Sequence, residues 1–174
     1  MDKEEKGQGL TTTALTARRV LDELKQCGIS HIVWLPDSEA GFMYEAMMSQ
    51  QELTLVQICR EGEAIAIATG LMLGGKEPVV LHQSTGFFES GDSVRGLALD
   101  LRLPLLLLIG YRGWHRDAPL TDSAAVFIEP ILDAWGIKHY LIETDRDVGK
   151  ISMGYREAHK TSKPVAILIG SEYT

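Results

Sequence analysis

The 174-residue sequence contains no asparagine, so any motif that requires one is absent from it. It has only two cysteines, Cys27 and Cys59, and neither belongs to a C-x-x-C pair, which removes zinc-binding and dithiol redox motifs. Positive charge is in deficit: 17 Lys and Arg face 24 Asp and Glu, a formal net charge of −7. Nucleic acid is therefore not an expected partner, because phosphate backbones are bound by surplus lysine and arginine. A local cluster such as Arg112, His115 and Arg116 can still oppose that field and meet a small anion. Long hydrophobic runs are missing too. The longest strongly apolar run, "LPLLLLIG" at 103–110, falls far short of the roughly 20 residues that span a bilayer. The charged opening "MDKEEKGQG" has no apolar core of the kind a signal peptide needs. A soluble, cytoplasmic protein without a membrane partner is expected.

Several catalytic and cofactor signatures are also missing. No G-x-G-x-x-G follows the first strand, and no G-x-x-x-x-G-K-[ST], H-E-x-x-H or G-x-S-x-G occurs. The five histidines stand far apart, so no metal site is expected.

What is present is an ordinary globular composition, 45% hydrophobic and 24% charged. The length suits one domain, expected over 10–174, behind a disordered tail at 1–9. Helical and extended patterns alternate. Helices are expected over about 13–27, from Asp37 and Ser38 to about 49, from 61 to the glycines at 74 and 75, to Arg102, at 123–135 and at 146–160. Six short apolar strands are expected between them: "HIVWLP", "LTLVQIC", "PVVLHQ", "PLLLLIG", a segment near 138–142 and "PVAILIG". The segment "STGFFESGDS" reads as a loop. Strands alternating with helices predict a three-layer α/β/α fold around a six-stranded, mainly parallel sheet. Ligands collect at the carboxyl ends of such strands, here 36–39, 59–63, 83–92 and 110–122.

Those segments hold the candidate residues. In "CREGEAIAIATG", Glu61 and Glu63 stand where a strand hands over to a helix. Acids in a first helical turn commonly serve as caps. Alternatively, Glu61 faces the crevice from a rigid apolar helix and shares a proton with a ligand, with Glu63 a solvated or structural partner. Asp37 and Ser38 read equally as an N-cap pair or as site residues. "QSTG" is a simple turn or a ligand contact. His115 is solvated loop charge or an acid beside an anionic substrate.

"VWLPDSE", "CREGEAIAIATGLMLGGKEPVVLHQSTG" and "LPLLLLIGYRG" resemble the pyrimidine-binding (Pyr) domain of thiamine-diphosphate-dependent 2-oxo-acid decarboxylases. The nearest branch is the sulfopyruvate and phosphonopyruvate decarboxylases, in particular the alpha chains of enzymes whose two halves are separate. The resemblance spans about 13–170. It implies the thiamine-diphosphate-binding fold and a thiamine diphosphate cofactor. It places Glu61 at N1′ of the aminopyrimidine; Gln83, Ser84, Thr85 and Gly86 beside the ring; and Asp37 and Ser38 at the reaction centre. His115 becomes a second proton-handling residue, and Arg112 and Arg116 candidates for the tail of a small anionic 2-oxo acid. A carboxyl can exchange a proton with a ring nitrogen, which an amide or hydroxyl cannot.

In that family a G-D-G…N motif binds magnesium and diphosphate. Here "GDS" at 91–93 lacks the third glycine, and there is no asparagine. The resemblance then implies half an enzyme. A beta subunit would carry the motif, and the chain alone would form a homodimer. Two rival readings keep the fold: a subunit for phosphonopyruvate or another 2-oxo acid, and a non-catalytic binding or scaffold domain.

Overall fold

Thr16 starts helix α1 (Ala17–Gln26): its backbone is extended and its hydroxyl accepts the N–H of Arg19 at 3.4 Å. Asp145 holds the same residue, accepting its N–H at 2.8 Å. Ala17, Val20, Leu21 and Leu24 form one buried stripe along the helix. Gly28, at φ +79°, supplies the left-handed residue that turns the chain out of it.

The computed structural model describes residues 14–37 and 41–170, so the expected tail at 1–9 lies outside the described residues. After α1 come β1 (His31–Trp34), a 3-10 turn (Gly41–Met43), α2 (Tyr44–Met48), β2 (Thr54–Gln57), α3 (Glu61–Leu73) and β3 (Pro78–Gln83). Next are α4 (Ser84–Glu89), α5 (Gly91–Ser93), a π-helical turn (Val94–Leu99) and β4 (Leu106–Gly110). The chain continues with α6 (Ser123–Ala134), β5 (Lys138–Ile142), α7 (Gly149–Thr161) and β6 (Val165–Ile169). The six strands form one sheet in the order β2-β1-β3-β4-β6-β5, and every neighbouring pair is parallel.

Strand alternation divides the core in two. Val79, Leu81, Leu106 and Leu108 face α1, α2 and α7. Val80, Leu107 and Ile109 face the opposite layer, with Ile65, Phe87 and Ile128. All five residues of β4 are buried, which accounts for a continuous rather than alternating apolar run. Each such Leu or Ile contributes about 1.5–3 kcal/mol relative to its exposed state. Among the described residues no helix is long and apolar enough to cross a membrane.

Two expectations differ from the structure. The "STGFFESGDS" segment is helical, not a loop. Two of its three serines are buried and bond backbone: Ser84 Oγ donates to the Gly110 carbonyl at 3.0 Å, and Ser90 Oγ to that of Phe87 at 3.0 Å. Phe87 between them is fully buried, and packing overrides the turn preference of the composition. Helix α2 begins at Tyr44, later than the expected start at Asp37 and Ser38, and its N-cap residue Met43 makes no side-chain cap bond. Ser38 lies outside the described residues.

Candidate active site

From β1 the chain moves outward to β2 and then returns across β1 to β3. This reversal opens a crevice at the carboxyl ends of β1 and β3. The segments leaving β2 and β3 both turn onto the Val80 face, so α3 and α4 begin side by side.

Glu61, the first residue of α3, meets Gly86 on α4. A Cβ placed on Gly86 would stand 2.6 Å from Glu61 Cγ, 3.1 Å from its Oε1 and 3.2 Å from His82 Cβ. The Glu61 side chain therefore lies against α4 where only a glycine leaves room.

The neighbouring acids divide the capping work. Glu63 Oε2 accepts the Cys59 N–H at 3.4 Å. Glu89, on α4, accepts the Gly62 N–H at 2.5 Å and the Arg60 guanidinium. The Arg60 bond holds the Glu89 carboxyl below its usual range. Glu61 is half-buried, and among the described residues no hydrogen bond or ion pair holds its carboxylate. Glu61 is also an acid of the first turn, but among the described residues it accepts none of these backbone amides.

Gln83 closes β3, and its Oε1 accepts from Arg112 Nη1 at 3.3 Å. Arg112 Nε also donates to Asp122 at 2.9 Å. Asp122 caps α6 by accepting the Ala124 N–H at 2.8 Å, and that bond first, then Arg112, keeps its pKa low. Ser84 is buried with its hydroxyl on Gly110, whereas Thr85 is exposed.

Asp37 lies beyond the end of β1. It lines a cavity of about 510 Å³ with Trp34, Pro36, Gly41, Tyr44 and Gln57. The Trp34 and Tyr44 rings lie 5.6 Å apart, and Trp34 Nε1 is buried without a hydrogen-bond partner among the described residues.

The loop after β4 leads away from Glu61. His115 Nε2 lies 3.2 Å from Thr121 Oγ1 within its own loop. Arg116 donates to Glu143 at 2.8 Å, beyond the end of β5. That strand is three places from β3 in the sheet, or about 14 Å. Glu61, Gly86, Gln83 and Arg112 thus gather around the adjoining ends of β3, α3 and α4, while His115 and Arg116 stand apart from them.

Two residues near the site escape sequence reasoning. Glu89 lies 27 residues beyond Gly62, and no local pattern links them. His82 sits inside an apolar strand run. It is fully buried against Phe87, with ring centroids 6.0 Å apart and edge to face. Neither ring nitrogen has a hydrogen-bond partner among the described residues, and burial pushes its pKa down to about 4.

An open parallel sheet whose strand order reverses at β1 and β3 defines a doubly wound α/β domain, a class whose ligands bind at the carboxyl ends of the strands. The chain belongs to the thiamine pyrophosphate enzyme family: the N-terminal TPP-binding domain of those enzymes matches it over residues 15–126. Among named relatives, the sulfopyruvate decarboxylase subunit alpha of Methanocaldococcus jannaschii is 27% identical over 156 residues, covering 88% of this chain and 92% of that protein. The sulfopyruvate decarboxylase of Methanosarcina acetivorans is 22% identical over 87% of this chain but only 39% of its own length. Among solved structures, benzoylformate decarboxylase from Polynucleobacter necessarius superposes with a TM-score of 0.71 at 21% identity, over 88% of this chain and 29% of that one. The 2-oxoglutarate:ferredoxin oxidoreductase from Magnetococcus marinus does so at 0.70 and 17% identity, over 90% of this chain and 29% of that one. These two likenesses concern the fold, and this chain spans under a third of either molecule.

Proposed function

We propose that this chain is the Pyr-domain subunit of a split, thiamine-diphosphate-dependent 2-oxo-acid decarboxylase acting on sulfopyruvate or a close anionic analogue. The observation that carries the reading is the Glu61 carboxylate, half-buried at the switch point and without a partner among the described residues. A carboxyl so placed suits the aminopyrimidine end of the cofactor, where one ring nitrogen needs a group that exchanges a proton.

Bound thiamine diphosphate supplies the electron sink for loss of carbon dioxide from a 2-oxo acid. Glu61 holds and returns a proton at N1′. Gln83, with Thr85 and the backbone at Ser84 and Gly86, flanks the ring. Arg112 brings positive charge beside Gln83 for the anionic tail of the substrate. Asp37, beyond the end of β1, handles a proton. His115 and Arg116, further along the sheet edge, serve to draw the anion in.

Magnesium and the diphosphate are assigned to a beta subunit with the G-D-G…N motif, and the chain alone is assigned a homodimer. The Methanosarcina relative, in which the matching segment is 39% of the protein, supports a second half. The test is reconstitution with the candidate partner chain, thiamine diphosphate and magnesium. Carbon dioxide release is measured from sulfopyruvate, phosphonopyruvate and pyruvate. Turnover on sulfopyruvate, dependent on both chains, is expected. No release from any of the three, or turnover by this chain alone, would overturn the proposal.

A further inference from the structure

Gly86 is not required by its backbone. Its φ is not among the positive values found at Gly28, Gly75, Gly113 and Gly136, and it lies within α4. A glycine inside a helix is less stable than an alanine there, so its presence needs another reason. Space supplies one. At Gly70, inside α3, a methyl group would have nothing within 4 Å, whereas at Gly86 it would stand 2.6 Å from Glu61 Cγ.

Among the described residues no hydrogen bond fixes Glu61, yet a proton-exchanging carboxyl must be held in a defined place. A free glutamate side chain turns about three bonds, and packing has to restrict it. The start of α3 is pinned by Glu63 and Glu89. The remaining constraint is the contact with α4. We propose that Gly86 is a positioning residue: the space left by its missing side chain seats Glu61 and aims its carboxylate into the crevice.

A methyl group at 86 would have to displace something. His82 Cβ belongs to a buried strand, and α4 is anchored by Ser84 on Gly110 and by buried Phe87. Glu61 is the group free to move, and it would leave its place. The packing stands by itself; its consequence for turnover rests on the function proposed above.

The experiment is a double-mutant cycle read by thermal unfolding of the full chain. It comprises Gly86→Ala, Glu61→Ala and the double variant, with Gly70→Ala as control. Gly86→Ala should lower Tm by about 4 °C or more in the parent. It should lower it little or not at all when Glu61 is already alanine, and Gly70→Ala should leave Tm unchanged or raised. Equal losses in both backgrounds would overturn the proposal. If Gly86→Ala alone does not fold, folding of the double variant supports the seat, and failure of both overturns it. In the reconstituted complex, Gly86→Ala should lower kcat about 100-fold with KM for sulfopyruvate little changed. Full kcat in a folded Gly86→Ala variant would overturn the positioning role. Full activity of Glu61→Gln would instead sink the proposed function and leave the unfolding cycle intact.

Discussion

Arg112 bonds Gln83 and Asp122 at once, with Nη1 3.3 Å from the Gln83 oxygen and Nε 2.9 Å from the Asp122 carboxylate. The first contact turns the Gln83 amide so that its oxygen faces the guanidinium. The second ties the guanidinium to the residue that caps α6. The end of β3 and the start of α6 thereby share one cation.

Removing that cation should weaken binding of the anionic substrate more than it slows the reaction. Arg112→Ala is expected to raise KM for the 2-oxo acid about 10-fold, the effect of losing one charge-assisted bond. Arg116→Ala should raise it less, because its guanidinium lies beyond the end of β5, three strands from β3. Steady-state kinetics on the reconstituted complex compares them, and the reverse order would contradict this placement.

His82 should make the fold sensitive to mild acid. Its pKa falls from 6.5 to about 4 on burial, so the folded protein keeps the ring neutral while the unfolded chain takes up a proton. Above pH 6.5 neither state is protonated and stability is at its full value. As pH falls from 6.5 to about 4, the unfolded state binds the extra proton and stability is lost, by about 3 kcal/mol over the window. The lowered carboxyls of Glu89 and Asp122 act below their ordinary values of 4.5 and 3.8, outside most of that window. Denaturant unfolding at several pH values should show the slope in the parent and lose most of it in His82→Leu, with a smaller part left to His31, whose pKa burial also lowers. A slope that survives the substitution undiminished would assign it elsewhere.

Glu89 should matter to α3 although it lies outside it. Its carboxylate serves the Gly62 N–H, one of the first-turn amides that the helix cannot satisfy itself. Glu89→Ala is expected to cost about 1 kcal/mol and lower Tm by about 2–4 °C. Arg60→Ala should cost less, since that side chain is mainly exposed. Thermal unfolding of the two variants checks the order.

The parallel sheet was legible because strands buried on both faces leave unbroken apolar runs. "PVVLHQ" is β3 to the residue, and the segment near 138–142 is β5. The helical 84–93 segment was not, because Ser84 turns inward to a carbonyl of the distant strand β4 and Phe87 is fully buried, and neither is visible in the local composition. The position of Glu61 at the start of α3 was legible from the handover of a strand to an apolar helix. Its seat was not, since Gly86 belongs to a later helix and only the return of the chain across β1 brings it there. Arg116 shows the same limit: its charge was visible, but its pairing with Glu143 needed the packed loop.

The most direct test of the account is Glu61→Gln in the reconstituted enzyme. The two side chains have nearly the same shape, so Tm of this chain and KM for sulfopyruvate should stay close to the parent values. The proton exchange proposed for Glu61 is lost in the amide, and kcat should fall at least about 100-fold. A Glu61→Gln enzyme with undiminished kcat would contradict the account.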